Sequence, residues 1–145
     1  MVQDICYLSA TELAEHIRSK DLSPVEVVTA HLDRIDALNH KLNAVVTLAD
    51  GAIEDARKAE DAVMRGAPLG ALHGVPFTSK DSLDGEGVRT TRGSMLFKDH
   101  MPAQDATAAA RLKQSGGIFL GHTNVPEFVF WFETDNLVFG RTENP

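Results

Sequence analysis

The stretch Leu72-His73-Gly74-Val75-Pro76-Phe77-Thr78-Ser79-Lys80-Asp81 decides how this chain folds. Its glycine, proline and β-branched residues predict a strand around residues 74–78 that ends near Lys80. A loop of turn-forming residues, 81–87, follows directly. Successive side chains on an extended backbone point to opposite faces, so Lys80 and Asp81 need not meet, and Ser79 should point away from Lys80.

Helix signals precede this strand. Residues Ser9-Ala10-Thr11-Glu12 fit a capping box, in which a serine oxygen and a glutamate satisfy free backbone N–H groups. The run Ser23-Pro24-Val25-Glu26 repeats the signal, with proline at the first helical position. A third helix is predicted over residues 50–65, ended by Gly66. Residues 42–48 fit either a short strand or an extended packed segment, and their periodicity does not decide between the two.

The pattern after the loop alternates between helix and strand. Asp105 is expected to cap a helix over residues 106–115, which two glycines at 116–117 terminate. Residues 118–120 are apolar and predict a buried strand, and a second apolar run occupies residues 128–132. Strand, helix and strand in this order predict an α/β sheet. Since no repeat, low-complexity segment or linker interrupts the sequence, we expect one continuous domain over residues 1–145.

Composition and charge exclude several classes of protein. The net charge of -7, without any run of four basic residues, disfavours binding to nucleic acid. The single cysteine, Cys6, excludes an intramolecular disulfide and fits a reduced thiol. The first four residues lack the features of a secretory signal, and the apolar run 128–132 is too short to cross a bilayer. These features predict a cytoplasmic protein without a membrane or nucleic-acid partner.

No pattern of metal ligands or cofactor-binding glycines is visible. The six histidines form no His-x-x-x-His pair and have no cysteine partner at zinc spacing. Asp81, Asp84 and Glu86 lie close together but lack the alternation of a calcium loop. Neither a phosphate loop nor a Gly-x-Ser-x-Gly elbow occurs. We therefore predict no metal and no cofactor.

Lys80 is the strongest candidate for chemistry in this pattern. Lysine acts as a base only when it is deprotonated, and its unperturbed pKa is roughly 10.4. Burial at the end of an apolar strand would lower that pKa, whereas contact with Asp81 would oppose the shift. Judged from the local pattern alone, an ordinary lysine at a strand end, exposed to solvent, is the favoured interpretation.

Six ordered motifs, including the one around Lys80, give this residue a context. Gly74-Val75-Pro76 and Lys80-Asp81 are followed, in order, by the segments 90–94, 105–107, 121–124, 127–128 and 136–145, which read Thr-Thr-Arg-Gly-Ser, Asp-Ala-Thr, Gly-His-Thr-Asn, Glu-Phe and Asn-Leu-Val-Phe-Gly-Arg-Thr-Glu-Asn-Pro. This succession resembles the N-terminal portion of the amidase signature family, and the match runs from the first helix onward. The resemblance implies a mixed sheet covered by helices. It also implies hydrolysis of carboxylic amides, without a cofactor, by a Ser–cis-Ser–Lys triad.

By this resemblance, Lys80 is the lysine of the triad. In the family this lysine activates the nucleophilic serine through a bridging serine, and backbone N–H groups of a Gly-Gly-Ser-Ser-Gly-Gly type loop hold the oxyanion. That loop follows a segment like residues 140–145, where this chain ends. We therefore expect the N-terminal segment of an amidase domain, truncated before the serine-rich catalytic loop. We expect the chain alone to be inactive.

Local serines are not expected to replace the missing ones. Ser79 and Ser82 flank the lysine, but Phe77 occupies the position that a Ser-x-x-Lys motif would need. Ser94 matches a family position without a role in the triad. One departure from the family pattern is His122, which stands where lysine is usual and changes a charge near the expected edge of the sheet.

Three functions remain open at this stage. The first is an amidase acting on a small-molecule amide. The second is a non-catalytic module, either forming a homo-oligomer or completing a complementary fragment. The third is the A-type subunit of a glutamyl-tRNA amidotransferase, which shares the same signature.

Overall fold

The computed structural model describes residues 4–145. Met1, Val2 and Gln3 belong to the terminus inspected for a secretory signal and lie outside the described residues. The described part contains four helices, three strands and three short 3-10 turns. The helices are α1 (Ala10–Ser19), α2 (Pro24–Leu42), α3 (Ala52–Met64) and α4 (Thr107–Gln114), and the strands are β1 (Val45–Leu48), β2 (Pro76–Lys80) and β3 (Ile118–Thr123).

The first two helices begin where the sequence predicts them, whereas α3 and α4 begin two residues and one residue later than predicted. Ser9 Oγ accepts a hydrogen bond from the Glu12 N–H group, and the Glu12 carboxylate accepts one from the Ser9 N–H group, which completes the capping box. Ser23 and Glu26 exchange the same pair of contacts at the start of α2. For residues 42–48 the sequence left a strand and an extended packed segment as alternatives, and Val45–Leu48 of this stretch form strand β1.

The sheet contains β1, β3 and β2, in that order, with β3 in the middle. β1 runs antiparallel to β3. The Ile118 N–H group donates to Val75 O, and the Asp81 N–H group donates to Thr123 O, so β2 and β3 run in the same direction. A small mixed sheet with helices is thus present, which confirms the predicted α/β class. The paired Cα positions of β1 and β3 are Val45 with Thr123, Thr47 with His122, and Leu48 with Gly121.

Gly121 allows β1 to approach β3 closely. Its φ angle is +142°, in the region that favours glycine. A Cβ atom built on this residue would come within 2.9 Å of Leu48 Cα and closer still to the carbonyl oxygen of Thr47. The antiparallel pairing at this point therefore depends on the absence of a side chain.

Close packing divides the chain into two units. Unit 1 contains residues up to 34 together with 50–77 and 111–120, and unit 2 contains residues 35–49, 78–110 and 121–145. The core of unit 1 is apolar, and half-buried leucines and an isoleucine pack around it. Burial of such side chains drives the folding of this unit. The core residues are Leu13, Ala14, Ile17, Val27, Val63 and Val75.

Unit 2 differs from unit 1 in what it buries. Every buried polar or charged residue that the structure describes lies in unit 2. Buried polar groups need hydrogen-bond partners, so these residues point to a connected polar network. They are Asp81, Thr90, Thr91, Ser94, His122, Asn124 and Asn136.

Across residues 4–145, no helix combines the length and the apolar character that crossing a bilayer requires.

Candidate functional site

Lys80 is the last residue of β2 and lies in unit 2. Thr78 and Lys80 are exposed, Ser79 is half-buried, and Asp81 is fully buried. This alternation is the one expected for an extended backbone. The Lys80 Nζ atom donates a hydrogen bond to the main-chain oxygen of Asn124, at 3.4 Å. The side chain therefore reaches across to the residue that follows β3, with its amine near solvent.

A network of amide side chains fixes the backbone that Lys80 contacts. The Asn124 Nδ2 group donates to Gly140 O at 3.0 Å and to Thr142 Oγ1 at 3.1 Å. Its Oδ1 atom accepts a hydrogen bond from Asn136 Nδ2 at 2.7 Å. The Asn136 Nδ2 group also donates to Val125 O at 2.8 Å. Asn124 and Asn136 were visible in the sequence as parts of motifs, but the sequence assigned them no such connection.

His122 is central in the sheet and fully buried. It lies on the middle strand β3, so its expected position near a sheet edge is wrong. The Thr90 hydroxyl donates to Val88 O and lies 3.0 Å from His122 Nε2. The Ser79 hydroxyl lies 3.0 Å from His122 Nδ1. Both ring nitrogens of the neutral imidazole are therefore used by hydroxyl groups.

The surroundings of His122 favour its neutral form. Burial is the main cause that lowers the pKa of His122 below its ordinary value of 6.5. The carboxylates of Asp81 and Asp84 and the backbone groups of Ser79 and Lys80 oppose this shift without cancelling it. The ring is therefore expected to remain uncharged in the folded state at neutral pH.

This lowered pKa predicts a dependence of stability on pH. Below about pH 6.5 the unfolded chain binds a proton at His122, whereas the folded chain binds it less readily. The free energy of unfolding should thus have its full value above that pH. Below it, the free energy of unfolding should fall by at most about 1.4 kcal/mol per pH unit. Urea unfolding between pH 5 and 8 measures the effect, and His122→Gln should remove this component of the slope. Equal slopes for the two proteins would contradict the prediction.

Ser79 and Ser94, two of the serines considered as replacements for the missing ones, have other partners. Ser79 Oγ contacts His122, as described above. Ser94 is fully buried, and its Oγ atom donates to Glu127 Oε1 at 2.7 Å while it accepts from the Leu96 N–H group. Ser94 therefore caps a short 3-10 turn. Within residues 4–145, neither of these hydroxyls is bonded to Lys80.

An exposed apolar segment follows Glu127. Phe128 and Val129 have φ angles of 51° and 62°, which is rare for a large side chain and unfavourable for a β-branched one. Phe130 and Phe132 are 84% and 99% exposed, and Trp131 lies between them. The apolar run at residues 128–132 is therefore exposed in this chain.

The acidic loop after β2 forms an ion pair. The Arg92 guanidinium lies 3.0 Å from Asp84 Oδ1, and His100 Nε2 lies 3.7 Å from the same oxygen. Among residues 4–145, no group of three or more His, Cys, Asp or Glu side chains is arranged to hold a metal ion.

Comparison with known proteins places this geometry in a family. The profile of the Amidase family matches residues 26–145. The chain is 40% identical to an acylamidase of Rhodococcus erythropolis over 144 residues, which is 99% of this chain and 30% of the relative. It is 45% identical over 138 residues to an indoleacetamide hydrolase of Bradyrhizobium diazoefficiens, covering 94% of this chain and 26% of that one.

A third relative is the A-type subunit of glutamyl-tRNA(Gln) amidotransferase from Carboxydothermus hydrogenoformans. It is 39% identical over 143 residues, with 98% of this chain and 30% of the relative covered. The chain thus spans less than a third of the length of the curated relatives it matches.

Solved structures agree with the sequence relatives. A bacterial aryl acylamidase of the amidase signature family superimposes with a TM-score of 0.89 at 37% identity, over 95% of this chain and 29% of that one. A fatty acid amide hydrolase gives a TM-score of 0.90 at 28% identity, over 97% of this chain and 25% of that one. The profile match over residues 26–145, together with these structural likenesses, shows that the chain belongs to the amidase signature family.

Proposed function

We propose that this chain is the N-terminal segment of an amidase domain and supplies Lys80 as the base for hydrolysis of a carboxylic amide. The observation that carries this proposal is the position of Lys80, at the end of β2 with its amine near solvent and against Asn124 O. Relatives named as an acylamidase and an indoleacetamide hydrolase support the reaction class. A cytoplasmic location is part of the same proposal and is supported by the single thiol of Cys6.

The proposed chemistry follows the logic of an activated nucleophile. The neutral amine of Lys80 takes a proton from a bridging serine, which in turn takes the proton of the nucleophilic serine. The serine oxygen attacks the amide carbon, and the amine of the substrate leaves with the proton that Lys80 had accepted. Water then hydrolyses the acyl-enzyme, which releases the carboxylate and restores the serine. In this proposal both serines and the oxyanion-binding loop come from polypeptide outside residues 1–145. No cofactor takes part.

The exposure of Lys80 is compatible with this role. Its side chain lies on the opposite face of β2 from Ser79 and Asp81, whose polar groups are bonded to residues of unit 2. Among residues 4–145, the amine has one hydrogen bond, to Asn124 O, and the exposed side chain can be approached by a hydroxyl group. A second segment that packs against this face would complete the triad and bury the lysine.

A chimera tests the proposal. Residues 1–145 replace the matching 30% of the Rhodococcus erythropolis acylamidase. Turnover is measured as release of p-nitroaniline from p-nitroacetanilide, and a fluorophosphonate probe reports an activated serine. We expect the chimera to hydrolyse the amide and to be labelled, whereas the 145-residue chain does neither. A folded chimera without turnover, or hydrolysis by the chain alone, would refute the proposal.

A second candidate function is that of a fragment that binds a complementary polypeptide. The exposed apolar surface of unit 2 favours it, because large exposed apolar patches mark interaction sites. Among the described residues, unit 1 exposes only Tyr7 and Met64 of its large apolar side chains. Those exposed in unit 2 are Leu38, Leu48, Leu83, Met95, Leu96, Met101, Phe128, Val129, Phe130, Trp131, Phe132 and Leu137.

Trp131 offers a direct measurement of such binding. It is the one tryptophan of the sequence and is 69% exposed. Addition of the remaining part of the Rhodococcus acylamidase should shift its fluorescence to the blue and make a one-to-one complex in sedimentation. A shift that depends only on the concentration of the chain itself would instead indicate a homo-oligomer. An unchanged emission at all concentrations would exclude both.

An amidotransferase role is the third candidate. Relatives of similar identity are A-type subunits of glutamyl-tRNA(Gln) amidotransferase, so identity does not separate the two activities. The net charge of -7 disfavours contact of this segment with transfer RNA. Dependence of the reaction on a glutamine donor and ATP would favour this candidate, and turnover of a simple amide without them would favour hydrolysis.

A further inference from the structure

Asp81 is a fully buried carboxylate immediately after Lys80, on the other face of the chain. Its Oδ1 atom accepts a hydrogen bond from the Thr91 N–H group at 2.9 Å. Its Oδ2 atom accepts from Thr91 Oγ1 at 2.5 Å and from the Gly93 N–H group at 3.4 Å. A buried carboxylate is costly unless donors surround it, and here three donors from one short segment do so.

The segment that holds Asp81 has an unusual backbone. Arg92 and Gly93 have φ angles of 54° and 64°, so two successive residues adopt the left-handed conformation. The Arg92 N–H group donates to Asp81 O at 2.8 Å, so main chain and side chain of Asp81 are both engaged. A Cβ atom on Gly93 would meet Val125 O at 2.9 Å, which leaves the segment little room to shift. Asp81 and residues 91–93 therefore hold each other in one geometry.

The same residue fixes the strand pairing that places Lys80. The Asp81 N–H group donates to Thr123 O at 2.9 Å, and Lys80 Nζ donates to Asn124 O, one residue further along. A shift of Asp81 along β3 would move the lysine away from Asn124. Within the described part of the chain, the Lys80 side chain has a single hydrogen bond, so its position depends on its neighbour.

We propose that Asp81 is a positioning residue, which holds the end of β2 through residues 91–93 and thereby fixes Lys80 against Asn124. The inference rests on the proposed role of Lys80 in amide hydrolysis. Asp81 does not contact the reacting atoms in this scheme, and it acts through the backbone that carries the lysine.

Asp81→Asn tests the proposal with little change of shape. The amide keeps one acceptor for the Thr91 N–H group but presents an NH2 group where Thr91 Oγ1 and Gly93 N–H donate. In the chimera we expect kcat to fall about tenfold to a hundredfold, with KM within about twofold, because a small misplacement of a reacting group has effects of this size. Thr91→Val removes one donor, so its loss should be smaller and in the same direction.

A matched control separates positioning from stability. Asn39 also lies in unit 2, and its side chain forms three bonds with backbone groups, to the N–H groups of Ala44 and Val45 and to Val45 O. Asn39→Asp is the reverse isosteric exchange and breaks a cluster that contacts neither Lys80 nor residues 91–93. It should lower the urea midpoint of unfolding while kcat per folded molecule stays within about twofold.

A second measurement uses the 145-residue chain itself. Nuclear Overhauser contacts between the Lys80 side chain and Asn124 should be lost in Asp81→Asn and retained in Asn39→Asp. Retained contacts with unchanged kcat in Asp81→Asn, or an equal loss of kcat in Asn39→Asp, would overturn the proposal. If the unmodified chimera is inactive, the proposed function fails, and the contact between Lys80 and Asn124 still decides whether Asp81 positions the lysine.

Discussion

Replacement of Lys80 by alanine in the chimera is expected to lower kcat/KM at least about a thousandfold. The reason is that removal of one member of a catalytic triad abolishes most of the rate enhancement that the whole triad gives. Alanine removes the amine that would accept the proton of the bridging serine, so the nucleophile remains a hydroxyl. Steady-state hydrolysis of p-nitroacetanilide and the rate of fluorophosphonate labelling both measure the loss.

Two further variants show whether the effect belongs to proton transfer. Lys80→Arg keeps a positive charge and a long side chain, but a guanidinium does not deprotonate in proteins, so it should be as inactive as alanine. Lys98 also lies in unit 2, where it is half exposed and pairs with Asp99. Lys98→Ala should retain full activity. Activity in Lys80→Ala or Lys80→Arg within tenfold of the parent would remove Lys80 from the mechanism.

Gly121→Ala is expected to cost more than about 3 kcal/mol of folding free energy in the 145-residue chain, a large effect for one methyl group. The new Cβ would overlap backbone atoms of Thr47 and Leu48, and backbone cannot move aside as a flexible side chain can. The φ angle of +142° adds strain for any residue except glycine. Since the total free energy of unfolding of a small domain is about 5–15 kcal/mol, pairing of β1 with β3 should be lost or severely weakened.

Urea unfolding followed by circular dichroism measures this loss. Gly87→Ala is the matched control, since Gly87 also lies in unit 2 with a φ of +69°, but no atom lies within 4 Å of the position that its Cβ would take. Its cost should be about 1–2 kcal/mol, from backbone conformation alone. Equal costs for the two alanines would mean that the approach of β1 to β3 is not as close as described.

Much of the secondary structure could be predicted because its signals are local. The capping residues Ser9 and Ser23 lie within three residues of the glutamates they bond to, so each helix start is encoded in one short window. The end of β2 at Lys80 was likewise visible, since glycine and turn formers surround the strand. Gly66, which follows α3 in the left-handed conformation, is another such local signal.

The site was less predictable because its contacts join distant residues. His122 is bonded to Ser79 and Thr90, which lie 43 and 32 residues away in sequence. No periodicity reveals such a pairing, and the position of β3 between the other two strands decides that the ring is buried rather than at an edge. Asn124 and Asn136 are linked for the same reason, through the fold of the segment between them. A single sequence shows these residue types and does not show that they meet.

The order of strands in the sheet has a practical consequence for handling the protein. With β3 in the middle, β1 and β2 each keep one row of backbone groups without a strand partner within residues 4–145. Open edges of this kind recruit further strands, and aggregates grow from them. Pro76 and Lys80 begin and end β2 and discourage such growth on that side. β1 has the sequence Val-Val-Thr-Leu, without proline or charge, and the Asn39 side chain occupies the backbone groups of Val45, so precipitation at high concentration should begin at the later residues of β1.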